Sequence, residues 1–228
     1  FLCYHAAEMK AMKTYRIRRT RLAYDLSRSR EAFWAQAEVA EVAIFPWYLG
    51  GDRWRAIAQL LCDDQQLYFR MVSQDDRHIV GLHTEPNQPV YRDSCAEFFV
   101  APRPDRGHFN LEINCVGAML LAYGTGRLGR TFLAAEVARQ VAIWHSIPGL
   151  IKREEESDCC WEIEAVIPYT VLRAHVDFET PGLGSEWRGN FYRCADGSSN
   201  PQWSCWNQIE TDYPDFHRPE FFGRLLFA

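Results

Sequence analysis

Between His108 and Cys115 the chain alternates: Phe109, Leu111, Ile113 and Cys115 are interleaved with Asn110, Glu112 and Asn114. A strand points successive side chains to opposite faces, so one face is apolar and the other is a row of amide, carboxylate and amide. The run before it alternates too, with Ala96, Phe98 and Val100 on one face and Cys95, Glu97 and Phe99 on the other. A short turn between the two predicts a hairpin. From Cys160 to Ile167 the alternation is strict: Cys160, Glu162, Glu164 and Val166 oppose Trp161, Ile163, Ala165 and Ile167. That pattern predicts a half-buried strand.

Further strands are predicted at 14–23, 41–47, 54–61, 67–72, 118–123, 137–145, 186–194, 203–206 and 222–227. Turn signals separate them, among them Gly50-Gly51, Gln74-Asp75-Asp76, Gly124-Thr125-Gly126 and the acidic run Glu154–Glu156. Helix is sparse. Ser29 is placed to cap a short one carrying Phe33, Trp34 and Ala37 on one face, and 168–172 reads as a short helical or extended segment. Many short strands with little helix predict an all-β fold, an antiparallel β-sandwich of jelly-roll or immunoglobulin kind with one or two short helices. Residues 1–22 read as an N-terminal extension and edge strand, and 23–228 as a single domain.

Composition narrows the partners. The chain has 228 residues, 47% of them hydrophobic, enough for a substantial core. A net charge of −5 argues against nucleic acid as a partner. The cluster Arg16, Arg18, Arg19 and Arg21 reads as a solvated edge. No apolar run reaches transmembrane length, so no membrane partner is expected, and the first ten residues are too short and polar for a signal peptide. None of the 8 cysteines falls in a C-x-x-C pair, so spacing suggests no zinc site. Buried, reduced thiols are expected, which favours the cytoplasm. Cys95 and Cys115 could approach each other across the hairpin.

Several segments resemble family 9 carbohydrate-binding modules. They are Leu67-Tyr68-Phe69 after Asp63-Asp64, the run from Tyr91 through Glu97 to Phe99, and the ending from Phe216 through Pro219 and Gly223 to Leu225. Trp161 to Pro168 and Gly189-Asn190-Phe191 fit the same order, and the likeness extends from Ala40 to Ala228. The resemblance implies a β-sandwich that binds the end unit of a saccharide between two aromatic rings without catalysis. The aromatic positions fall on Tyr91 and Phe216, where characterised modules carry tryptophan. The polar ligands fall on Glu97, Asn110, Glu112 and Asn114. Glu112 departs from the pattern, since characterised modules carry an arginine there, and this implies a different ligand preference. Asp75 and Asp93 stand where related modules use acids for structural calcium; no other cofactor is implied. The implied partners are a mono- or oligosaccharide and a glycoside hydrolase working beside the module.

The chemistry suits such a ligand. Aromatic rings cover the C–H faces of a pyranose, and carboxylates and amides satisfy its hydroxyls. Trp203 and Trp206, flanking a polar loop near Phe216, could extend the platform. Trp34, Trp54, Trp144, Trp161 and Trp187 read as core. Three other readings compete. The polar row could be the wet face of an antiparallel sheet. Glu97 and Glu112 could form the carboxylate pair of a glycoside hydrolase. Met71 and His83 could ligate haem, or the sandwich could serve protein interaction.

Overall fold

The computed structural model describes residues 12–25 and 30–228, the side chains of 157 and 158 aside. The expected Ser29 cap lies outside the described residues. The strands are β1 (Thr14–Arg19), β2 (Ala40–Glu41), β3 (Arg55–Cys62), β4 (Gln66–Ile79), β5 (Cys95–Ala101), β6 (His108–Asn114), β7 (Met119–Gly124), β8 (Thr131–Phe132), β9 (Ala142–His145), β10 (Glu155–Pro168), β11 (Glu186–Cys194), β12 (Trp203–Cys205) and β13 (Gly223–Phe227). Three helices of one turn or little more join them: α1 (Glu31–Trp34), α2 (Ala135–Ala138) and α3 (Tyr169–Arg173).

The strand order β8-β7-β6-β5-β11-β13-β1-β3-β4-β10-β9 curls over on itself at β1. Residues Thr14–Ile17 pair with β13, and Arg18 and Arg19 pair with β3, both in parallel. The expectation of a purely antiparallel sheet is therefore corrected to a mixed one. β1 is also not an edge. Tyr15 and Ile17 point into the core and Arg16 and Arg18 point out, which is the alternation that lets one strand serve both arms of the sheet.

The arms face each other across an apolar core. Phe69 of β4, Phe98 of β5 and Phe191 of β11 stack at centroid distances of 5.4–6.2 Å. Burying three such rings stabilises the sandwich by several kcal/mol, at roughly 1.5–3 kcal/mol for each fully buried large apolar side chain. Gly189 of β11 lets the neighbouring strands close up, since a Cβ there would lie 2.6 Å from the Phe99 carbonyl oxygen.

Local expectations fail where tertiary pairing overrides them. The segment 41–47 holds only Glu41 in regular pairing, plus a bridge from Ile44 to Cys205. The segment 137–145 splits into the end of α2 and β9. β4 and β10 run past the turns expected at 74–76 and 154–156, because each supplies the other with a partner from Ile167↔Leu67 to Glu155↔Ile79. A register shift at Cys159 and a positive φ of 57° at Asp75 absorb the mismatch. Trp34, Trp54, Trp161 and Trp187 are buried, whereas Trp144 is half-buried beneath the Arg30 guanidinium.

Candidate functional site

Register decides what meets on the outer face of the β5–β6–β11 arm. Glu97 lies directly opposite Glu112 on β6 and opposite Tyr192 on β11, while Cys95 lies opposite Cys194. Their neighbours Phe98, Leu111 and Phe191 point the other way, into the core. The outer face is not wet. The loop from 206 to 218 crosses it and lays Phe216 flat on Tyr192, with ring centroids 4.1 Å apart at an interplanar angle of 6°. Trp47 packs on the same ring from the side. Every residue of β6 is consequently buried.

A cleft of about 400 Å³ remains between this roof and the sheet. Glu97, Glu112, Phe99 and Cys194 form its floor. Tyr91, Asp196 and Trp203 line one side, Arg127 and Arg130 another, and residues 214–217 the roof. Tyr91 comes from a single 3-10 turn, Val90–Arg92, and is 36% exposed, so its ring is free to meet a ligand. Trp203 is held by its indole N–H, which donates to Asp196 Oδ1 at 2.7 Å.

Four predicted residues, Tyr91, Glu97, Glu112 and Phe216, come together on the cleft wall. Two do not. Asn110 lies beside Glu112 on the same face of β6 but does not line the cleft, and its Nδ2 donates to Glu112 Oε1 at 2.8 Å. Asn114 turns to the loop before β5: its Nδ2 donates to Asp93 Oδ2 and the His83 carbonyl, and its Oδ1 accepts from the Ala118 amide. With these bonds made, both Asn114 donors are used, and the side chain is wholly buried and does not line the cleft. Phe216 has one face on Tyr192 and is 8% exposed, so packing is its principal work. Phe216→Ala should cost about 3 kcal/mol of folding stability, read by urea denaturation, and should lower saccharide affinity only through that loss.

The cations that sequence reasoning missed come from the β7–β8 turn, which the glycines of 124–126 mark only as a turn. Arg130 Nη1 lies 3.6 Å from Glu112 Oε1 and donates to His217 Nε2 at 2.8 Å. Since Nε2 of His217 accepts, its Nδ1 carries the hydrogen and donates to His108 Nε2, 3.3 Å away. Burial, reinforced by Arg130, pushes both imidazoles down, His108 to about 4, so both are neutral. The chain Arg130–His217–His108 thus fixes one positive charge beside Glu112, at the position where the resemblance expected an arginine in its place.

The carboxylates are held at the opposite extreme. Burial, then the neighbouring Glu112, raises Glu97 well above the usual carboxylate range, although the Cys194 thiol, 2.9 Å from its Oε1, pulls it back. Burial raises Glu112 from 4.5 to about 7, opposed by Asn110 and Arg130. The folded chain therefore binds protons that the unfolded chain releases. The stability this contributes is full below about pH 4.5 and is lost as pH rises to about 7. Glu112→Gln should remove that slope. In thermal melts, the difference between variant and parent should grow in the variant's favour across this window and level off above it.

The remaining candidate residues are engaged elsewhere. Asp75 pairs with Arg55 at 2.6 Å, and buried Asp93 accepts from the His83 amide and Asn114 and contacts His83 Nδ1 at 3.0 Å. N–H donors thus occupy both oxygens of Asp93, and Asp75 is an exposed side chain paired with Arg55. Met71 is wholly buried in the core and His83 is bound to Asp93, so they make no axial pair. Cys115 turns to the Val80 carbonyl, while Cys95 sits beside Cys194; both, with the other described cysteines, are free thiols.

Residues 61–227 match carbohydrate-binding family 9. The chain belongs to this family. Family 9 modules bind carbohydrate and do not catalyse its breakdown, so this module is a saccharide binder and not an enzyme. The family 9 module shares its fold with solved structures. A candidate carbohydrate-binding protein from Bacteroides uniformis ATCC 8492 is 24% identical, with a TM-score of 0.85 over 96% of this chain and 100% of its own. A family 9 module from Caldicellulosiruptor kristjanssonii in complex with glucose is 15% identical, with a TM-score of 0.62 over 95% and 96% of the two chains. The same kind of module in complex with cellotriose has a TM-score of 0.61 at 15% identity, over 94% and 93%. No curated protein matches the sequence.

Proposed function

We propose that the cleft holds the end unit of a saccharide against Tyr91 and Trp203, with its hydroxyls on Glu97, Glu112 and Arg130. The observation that carries this reading is the pairing of Glu97 and Glu112, two nearly inaccessible carboxylates on the floor of an open cleft rimmed by aromatic rings. Buried polar groups need partners, and a ring of hydroxyls supplies them. The volume suits a small-molecule site, whose usual range is about 300–1,000 Å³. Asn110 acts as a positioning residue for Glu112, and Phe216 serves as roof.

Glucose and cellotriose are the first probes, since they occupy the Caldicellulosiruptor kristjanssonii module. Isothermal titration against these and a panel of other mono- and oligosaccharides should find a ligand that binds one to one. Tyr91→Ala and Trp203→Ala should each weaken it by about 1–3 kcal/mol, while thermal melts stay close to the parent. Heat with none of the sugars would refute the reading. A non-catalytic module that holds a chain end would raise the local concentration of a glycoside hydrolase on the same polymer, and such an enzyme is its natural partner. The free thiols suit a reducing compartment.

A further inference from the structure

We propose that Cys95, Glu97 and Cys194 form a binding site for a thiophilic divalent cation, zinc by preference, beneath the floor of the cleft. Cys95 and Cys194 face each other across the β5–β11 pair, and Glu97 follows Cys95 by two residues on the same face. The two sulfurs and one carboxylate oxygen all lie within 4.8 Å of one another. A tetrahedral zinc with Zn–S bonds of about 2.3 Å holds its sulfurs roughly 3.8 Å apart, so closing the triad needs small side-chain movements only.

A second observation points to a cation at the same place. Glu112, opposite Glu97 and lining the same cleft, is 2% exposed, and its Oε2 has no hydrogen-bond partner. An orphaned buried carboxylate oxygen is costly, and a cation among Cys95, Cys194 and Glu97 would give it a nearby counter-charge. Arg130 approaches only the other oxygen of Glu112, at 3.6 Å.

The ligand types choose the metal. Two thiols with one or two carboxylates suit zinc and its soft neighbours, whereas calcium takes oxygen alone. The path in is the cleft itself, since Cys194 and Glu97 are both on its wall. Binding breaks two S–H bonds and the Glu97 O–H bond, forms two metal–sulfur bonds and one metal–oxygen bond, and the released protons leave to the buffer. Cys95 and Glu97 lie two residues apart on β5, and Cys194 is brought to them only by the pairing of distant strands. The inference does not depend on which saccharide binds, or on whether one does.

The test uses the whole reduced protein and metal alone. Titration with cobalt(II), followed by its displacement with zinc, should give a sulfur-to-cobalt charge-transfer band at one equivalent. Cys95→Ser and Cys194→Ser should each abolish the band, and Glu97→Gln should weaken zinc binding on the order of 100-fold. Cys160→Ser removes an exposed thiol and should leave the band intact. Zinc should also raise the melting temperature of the parent, and a chelator should reverse the rise. Absence of the band in the reduced parent would overturn the proposal. So would a band that survives both Cys95→Ser and Cys194→Ser, or one that Cys160→Ser removes. Saccharide titration of metal-free protein tests the sugar reading separately.

Discussion

Asp76→Ala should destabilise the fold by about 3–5 kcal/mol, the largest effect expected of any single change in this chain. Asp76 of β4 and Arg193 of β11 form an ion pair inside the sandwich, with Arg193 fully buried. The Trp161 indole N–H also donates to Asp76, at 2.7 Å. The guanidinium lies 3.4 Å from the centroid of the Trp54 ring and donates to the Cys194 carbonyl. Losing the carboxylate would strand a guanidinium that cannot give up its proton and cannot reach water. The pair itself is not expected to be strongly stabilising, because desolvation offsets most of its attraction. Asp76→Leu combined with Arg193→Met should therefore recover most of the stability lost in Asp76→Ala. Urea denaturation of the parent, single and double variants checks both outcomes. A single variant within about 1 kcal/mol of the parent would mean that water reaches the pair.

This ion pair shows what the sequence could and could not convey. Alternation marked β5, β6 and β10 plainly, since each has one face in the common core. Arg193 has the parity of the core residue Phe191 on β11, but a charged residue there gives no sign of its partner 117 residues away. The site divides in the same way. Glu97 and Glu112 were legible as a carboxylate pair because a hairpin is a local structure whose register follows from a short turn. Asn114 has the same parity as Glu112 and so looked equivalent. Only the loop from 80 to 94, which folds back to put Asp93 against it, removes Asn114 from the cleft. Arg130 and His217 are 87 residues apart in the chain, and neither sits in a pattern that periodicity can mark. The parallel pairing of β1 was hidden for a related reason: its partners, β3 and β13, lie one on each side of it and far apart in the chain.

Glu97→Gln should weaken saccharide binding on the order of 10–100-fold, with a smaller effect on folding than the Asp76 change. Glutamine keeps the volume, but it replaces a carboxyl group with an amide and so changes which donors and acceptors meet the sugar hydroxyls. The environment of the pair also gives the binding a pH dependence of definite sign. A hydroxyl donates best to an ionised carboxylate, and burial holds the Glu112 proton on until about pH 7. Affinity should thus rise as pH passes through this value and Glu112 ionises beside Arg130. Glu112→Gln should bind more weakly above this value and lose the rise. Arg130→Met should shift the rise to higher pH, because the cation that favours the ionised form is gone. Titration calorimetry at several pH values on either side of 7 separates these outcomes. An affinity that is flat in pH for the parent, or a rise that persists in Glu112→Gln, would place the hydroxyl contacts on groups other than this carboxylate pair.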